Sequence, residues 1–454
     1  MLGAPVPVRK RSDHEFEANA TRDTGMTVVA TNLPSRSALA RFATERRLAV
    51  ASLALVGLHV ADDNFLQPEP GLSAADHLAG GLVQLGLVAA AAWAYPRVRA
   101  GARGALALLF GFFGVLAGTE AVYYTVAEGA SGDDFTGFLS LLGGFLLLGI
   151  GVVTLWRTRR TDDSLRRRSL RRGLVLVGAV LLVGIVLFPA SIAYVVTHTA
   201  RAGVPAPNLG ATPEEVSFTT SDGLRLEGWF IPSRNGATVI AFPGRSGPQK
   251  HTRMLVSNGY GVLLFDRRGE GASEGDPNTF GWVGDRDLHA ATDYLRSRPD
   301  VDPDRIGGIG LSVGGEMLIH AAAHSDAFRA IVSEGASGQS IRDQLNNTST
   351  LDAILGFSAV TAATAVFTST LPPPSLKGEV AKLGPAAAFF VYGENGQGGS
   401  EEQPNKDFYS AARGPKQIWE VPNGQHIAGI TTEPAEYERR IVGFFDRHLR
   451  KETP

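Results

Sequence analysis

The residues best placed to do chemistry lie in Gly310-Leu311-Ser312-Val313-Gly314-Gly315. This G-x-S-x-G spacing falls between Arg305–Leu311, which reads as a buried strand, and Gly314–His324, which reads as a helix. A serine on so tight a strand-to-helix turn presents its hydroxyl, and glycines two residues to either side keep side chains off the neighbouring backbone. The following helix aims its dipole and its unpaired N–H groups at an oxyanion forming on the attacked carbonyl. Ser312 is therefore the expected nucleophile, with the N–H of Val313 as one oxyanion donor. A second donor is expected from Phe242-Pro243-Gly244-Arg245-Ser246-Gly247, after the third strand; Gly244 lets the backbone approach, and Arg245 is the candidate.

A serine nucleophile needs a base. His426 ends Val421-Pro422-Asn423-Gly424-Gln425-His426, after the last strand and before the amphipathic stretch Pro434–Leu449. That is the third place in the chain order serine, acid, histidine. His289, His320 and His324 fall on helices and read as structural or surface residues, whereas His251 is near enough to the Gly244 loop to line a pocket. The acid should follow the strand Ala387–Tyr392, yet Gly393–Glu402 holds no Asp. The remaining choices, in order, are Glu402, Glu394, Glu401 and Glu334, each able to orient an imidazole through its second nitrogen. The chain has no cysteine, which excludes thiolate nucleophiles, disulfides and zinc–thiolate sites. No metal or organic cofactor is implied.

The elements that must hold these residues alternate. Val216–Thr219 and Leu224–Phe230 read as strands around the turn Ser221-Asp222-Gly223. Thr238–Phe242, Gly261–Phe265, Phe328–Ser333, Ala387–Tyr392 and Gln417–Val421 read as further strands, with helices over Thr252–Asn258 and Asp285–Ser297. Strands alternating with helices predict an α/β domain over 214–454, built on a doubly wound, mostly parallel sheet.

Upstream the composition changes. Apolar runs cover Leu48–Ala61, Leu78–Tyr95, Gly104–Ala127, Phe135–Trp156 and Gly173–Val196. Set against the roughly 20 apolar residues a membrane span requires, the first run is the weakest, because Asp62 and Asp63 cut it short. The expectation is an all-α bundle of about five transmembrane helices over 41–200. It follows a disordered cytoplasmic tail, 1–40, and precedes a linker, 201–213. Loops between the runs alternate in sign, from Arg46 and Arg47, through Asp62 and Asp63, to an Arg-rich stretch ending at Arg172. Basic loops stay cytoplasmic, which puts the N-terminus inside and the C-terminal domain outside the cytoplasm, on a multi-pass cell-membrane protein. Glu120, the one acid inside a strong span, reads as an interfacial residue reaching for water. Trp93, Tyr95 and Trp156 sit near span ends like interfacial aromatics, and Gly143, Gly144, Gly149 and Gly151 would permit close helix packing. A net charge of -2 gives no reason to expect nucleic acid as a partner.

From about Glu214 to Arg450 the chain resembles bacterial α/β-hydrolases of the dienelactone-hydrolase-like and prolyl-oligopeptidase-like type, including membrane-anchored serine hydrolases. The resemblance rests on Gly259–Gly275, with Asp266-Arg267-Arg268-Gly269-Glu270-Gly271-Ala272-Ser273 at its centre, on Val301–Gly307, on Gly310–Gly315 and on Gly424-Gln425-His426. The central run is similar to the family's D-x-R-G-x-G-x-S loop, which props the active site. Two departures stand out: Pro243-Gly244 replaces the family's His-Gly, and Gly396 occupies the place of its acidic Asp. An apolar insertion over 344–384 is expected to cap the pocket. The resemblance implies a serine esterase acting on a small-molecule ester. A peptidase or amidase, or an inactive hydrolase fold used for binding or sensing, stands as the alternative.

Overall fold

The computed structural model describes residues 36–67, 74, 78–128, 132, 134–158, 164–199, 204, 208–275, 278–347 and 351–449. Most of the expected tail, and much of the expected linker, lie outside the described residues.

The N-terminal part is helical: α1 (Arg36–Ala61), α2 (Leu78–Ala94), α3 (Ala100–Glu128), α4 (Asp134–Arg157), α5 (Leu165–Leu182) and α6 (Phe188–Thr197). Helix α1 starts inside the segment expected to be disordered. Among the described residues, three helical stretches are long and apolar enough to cross a membrane: Phe42–Leu66, Ala100–Tyr123 and Asp134–Arg157. The first contains the run judged weakest, and the reason is visible. A π-helical turn, Asp62–Leu66, carries the helix past its acids, and the Asp62 carboxylate accepts bonds from Thr136 Oγ1 at 2.8 Å and Gln67 Nε2 at 3.1 Å. The expected last span is helical but passes through a second π turn, Val183–Leu187, between α5 and α6. Glu120 is half-buried and accepts a hydrogen bond from the Tyr194 hydroxyl on α6. Trp93 and Trp156 are exposed, but Tyr95 is buried and donates to Glu45 Oε1 at 3.1 Å. Gly144 and Gly151 face α3 and Gly143 faces α1, whereas Gly149 faces open space.

The C-terminal part opens with β1 (Glu214–Thr219), β2 (Arg225–Ile231) and β3 (Thr238–Phe242). Then come α7 (Gln249–Ser257), β4 (Gly261–Phe265), α8 (Gly284–Ser297), β5 (Ile306–Leu311), α9 (Val313–Ala323) and β6 (Ala330–Glu334). The chain closes with α10 (Ile341–Asn347), α11 (Leu351–Thr368), α12 (Leu376–Val380), β7 (Ala387–Gly393), α13 (Glu402–Ala411), β8 (Lys416–Val421), α14 (Gly429–Thr432) and α15 (Pro434–Leu449). Among the described residues, eight strands form one sheet in the order β1-β2-β4-β3-β5-β6-β7-β8, with β2 antiparallel to both its neighbours and the rest parallel.

The central strands are buried on both faces, as parallel strands covered by helices must be. Alternate side chains serve opposite layers: Ile240, Phe242, Phe265 and Phe390 pack with α8, α9 and α13, while Val239, Ala241, Leu264 and Phe389 pack with α7 and α15. The expected insertion is smaller than 344–384. Leu376 and Val380 of α12 are fully buried in the first layer, and buried Asp343 of α10 accepts the Leu376 N–H at 2.9 Å, so both helices are tied into the domain.

Candidate active site

Ser312 sits between β5 and α9 with φ 52° and ψ −123°, a conformation that a non-glycine residue holds only when its surroundings enforce it. Two glycines enforce it here. A Cβ on Gly310 would fall 2.4 Å from the Gly314 carbonyl oxygen, and one on Gly314 would fall 2.5 Å from Pro243 Cδ. The Ser312 N–H is fixed by the Glu334 carbonyl at 2.7 Å.

From this corner Ser312 Oγ lies 2.9 Å from His426 Nε2, close enough to donate its proton there. On the far side of the ring, Nδ1 is hydrogen-bonded to Glu401 Oε1. Glu401 is fully buried and also accepts the Gly393 N–H at 3.2 Å. The imidazole is about a third exposed. Val313, the first residue of α9, carries one of the N–H groups that a helix start leaves without an internal partner.

Three expectations are corrected. Glu402 points away from the histidine and pairs with Lys406, because it opens α13 on the solvent face. Glu394 accepts the Asn423 N–H at 2.7 Å and so braces the histidine loop instead of orienting the ring. Arg245 does not offer its N–H to the serine: that group donates to Asp266 Oδ1 at 2.9 Å, and the guanidinium bonds the same carboxylate through Nε at 2.8 Å. Asp266, first residue of the D-x-R-G-x-G-x-S run, thus clamps the loop after β3.

Glu334 stays off the imidazole. Its carboxylate accepts the Gly429 N–H at 2.9 Å and the Tyr437 hydroxyl at 2.5 Å, while its backbone holds Ser312. It therefore joins the nucleophile turn to the segment following His426. Burial, with the Glu334 carboxylate beside it, holds the Tyr437 phenol well above its ordinary pKa. His251 is buried against Tyr437 with Nε2 3.7 Å from Glu334, behind the site. His324 bonds Glu379 at 2.7 Å and His289 approaches the Ala321 carbonyl at 3.2 Å, both remote from the serine.

One buried group escaped the sequence reading. Glu316, one helical turn beyond Ser312, accepts the N–H groups of Gly338 at 2.8 Å and Ser337 at 3.1 Å. Burial pushes its carboxyl up to about 7 despite those donors, and Asp343 adds to the rise. Its only sequence signal was a carboxylate at the start of an otherwise apolar helix. No cluster of His, Asp and Glu suited to a metal ion occurs among the described residues.

The strand order and the elbow define an α/β-hydrolase, and the chain belongs to that superfamily. Residues 206–427 match the family model described as X-Pro dipeptidyl-peptidase (S15 family). The uncharacterized protein YfhR of Escherichia coli (strain K12) is 30% identical over 248 residues, covering 51% of this chain and 80% of that protein. The α/β-hydrolase domain-containing protein WAV2 of Arabidopsis thaliana is 32% identical over 156 residues, 32% of this chain and 49% of that one. Among solved structures, the esterase Pf2001 of Pyrococcus furiosus aligns with a TM-score of 0.44 at 21% identity, over 55% of this chain and 99% of that one.

Proposed function

We propose that this protein is a membrane-anchored serine hydrolase that cleaves carboxylic esters through an acyl-enzyme on Ser312. The observation that carries the reading is the unbroken hydrogen-bond chain from Ser312 Oγ through His426 to Glu401. His426 Nε2 takes the hydroxyl proton as Oγ attacks the acyl carbon, and Glu401 holds the ring and offsets the charge it gains. The oxyanion forms against the Val313 N–H at the start of α9. Nε2 then gives its proton to the departing alkoxide. A water molecule attacks the acyl-enzyme, losing its proton to the same nitrogen, and the acid leaves as Oγ recovers its hydrogen.

The helices long and apolar enough to cross a membrane support anchoring, and the alternating loop charges support an extracytoplasmic hydrolase domain with a cytoplasmic N-terminus. A peptidase or amidase is the second reading, favoured by the match to the S15 family model. The missing Asp favours a non-catalytic binding reading, and the carboxylate of Glu401 beside His426 speaks for the enzyme instead. A fluorophosphonate probe applied to membranes tests the proposal: it should label the protein, and labelling should vanish in Ser312→Ala. An unlabelled wild-type protein would put the binding reading ahead of the enzyme.

A further inference from the structure

The insertion after β6 does not stand free above the sheet. Gly80 of α2 donates its N–H to Ser369 Oγ, just beyond α11, at 2.8 Å, and a Cβ on Gly80 would fall 2.5 Å from the Val366 carbonyl oxygen. On another side Phe367 meets Tyr194 of α6 edge to face, with ring centroids 5.5 Å apart. Helix α11 therefore packs directly on apolar helices of the N-terminal part. From Ala353 to Thr368 it carries no charge, and a helix apolar on every face has no side suited to water.

The surface agrees. Beyond residue 208, the large apolar side chains exposed among the described residues are Ile341, Leu345, Phe357 and Leu371, the last at 83%. All four lie in or beside α10 and α11. Leu181 of α5, Val186 of the π turn and Phe188 of α6, the helix on which α11 packs, are uncovered as well.

The turn Thr279–Gly281 links this assembly to the nucleophile. Its residues hold φ values of 52°, 51° and 82° in succession. At one end the Asn278 N–H donates to the Thr197 carbonyl, the last residue of α6, at 2.8 Å. At the other, a Cβ on Gly281 would fall 2.7 Å from Val313 Cγ2. Three Cα steps separate Asn278 from Gly281, so the turn spans at most about 11 Å. The residue beside Ser312 thus lies on the order of one headgroup layer from the end of α6.

We propose that α11 and the Leu371 segment are seated in the bilayer beside α2 and α6, and that Ser312 cleaves a membrane-resident lipid ester. This rests on the reading of Ser312 as nucleophile. The substrate is a long-chain acyl amphiphile whose ester bond sits at the interface and whose chain stays in hydrocarbon while the carbonyl reaches the serine. The bilayer is the occupant of the exposed face because α11 carries no charge from Ala353 to Thr368 and packs on α2 and α6, themselves apolar helices of the N-terminal part.

Full-length protein in phosphatidylethanolamine–phosphatidylglycerol vesicles is assayed with a fluorogenic long-chain diacyl ester dispersed in the same vesicles, and with water-soluble p-nitrophenyl butyrate. Phe357→Glu and Leu371→Glu place a charge on the apolar face. They are expected to cut hydrolysis of the dispersed ester at least about ten-fold and to leave the soluble ester within about two-fold. Fluorophosphonate labelling of Ser312 reports whether each variant is folded. Equal losses on both substrates, or none on either, overturn the proposal. So does a wild type that cleaves only the soluble ester, which leaves the nucleophile reading intact. Ser312-independent turnover of both substrates overturns that reading and this one with it. Dissociation of a dimer by the glutamates, with lipid hydrolysis unchanged, makes the face a protein interface and also overturns the proposal.

Discussion

The carboxylate of Glu401 fills the space in front of Gly396: a Cβ at position 396 would fall 2.2 Å from Glu401 Oε2. The position where related hydrolases carry an Asp is bare because a glutamate five residues on reaches back into the same volume. Glu401→Ala should lower kcat by about 10³–10⁴-fold, the scale on which orienting acids act. Gly396→Asp alone should also impair the enzyme, for want of room. Combined with Glu401→Ala it should regain about ten-fold over the single alanine variant in ester hydrolysis. A double variant no faster than that single would show that the two carboxylates are not interchangeable.

The buried pair Asp266–Arg245 holds the loop after β3. Asp266→Ala leaves the guanidinium buried without its partner and should cost about 3–5 kcal/mol. Urea titration of the full-length protein, read by the loss of fluorophosphonate labelling, gives the shift in midpoint. Asp266→Asn keeps an acceptor and should fall between the two.

Tyr437→Phe removes one donor from Glu334 and leaves a buried carboxylate partly unpaired. The expected cost is about 1–3 kcal/mol of stability. A drop in kcat that exceeds the rise in KM should accompany it, because the segment following His426 hangs on the same carboxylate. Steady-state kinetics on a soluble ester separate the two; an unchanged kcat would reduce Tyr437 to a packing residue.

Glu316 predicts a pH dependence of stability. Its carboxyl is raised by burial to about 7, so the native state holds that proton more tightly than the unfolded chain does. The resulting stabilisation is full below the ordinary glutamate value and is lost as pH rises through about 7. The thermal midpoint of the wild type should therefore fall, relative to Glu316→Gln, between about pH 5 and pH 8. Parallel curves for the two proteins would contradict the assignment.

Orientation is checked separately. A reporter that works only outside the cytoplasm, fused after Pro454, should be active; a cytoplasmic signal would defeat the loop-charge argument.

Much of this was legible in the sequence because local rules and global fold agree. Apolar runs of strand length, set between helices, foretold the parallel sheet, and two glycines around Ser312 foretold the elbow. What escaped depends on direction. Nothing in Gly393–Glu402 says that Glu401 turns inward while Glu402 faces solvent, since that is set by where α13 begins. The Arg245 N–H was misjudged because its competitor, Asp266, lies 21 residues away. The first apolar run is the least apolar of the three candidate spans, as expected, and what hydropathy does not show is the π turn that carries its helix past Asp62 and Asp63.

The seating of α11 against α2 and α6 has a practical consequence for anyone isolating the catalytic half. Cutting the chain near Val204 would strip Val366 and Phe367 of their neighbours and leave a helix whose one charge is Asp352 hanging in buffer. Such a fragment should clump even though its sheet is sound, and poor yield from it would say nothing about the fold. A well-behaved fragment would need the stretch from about 348 to 371 replaced by a short polar loop.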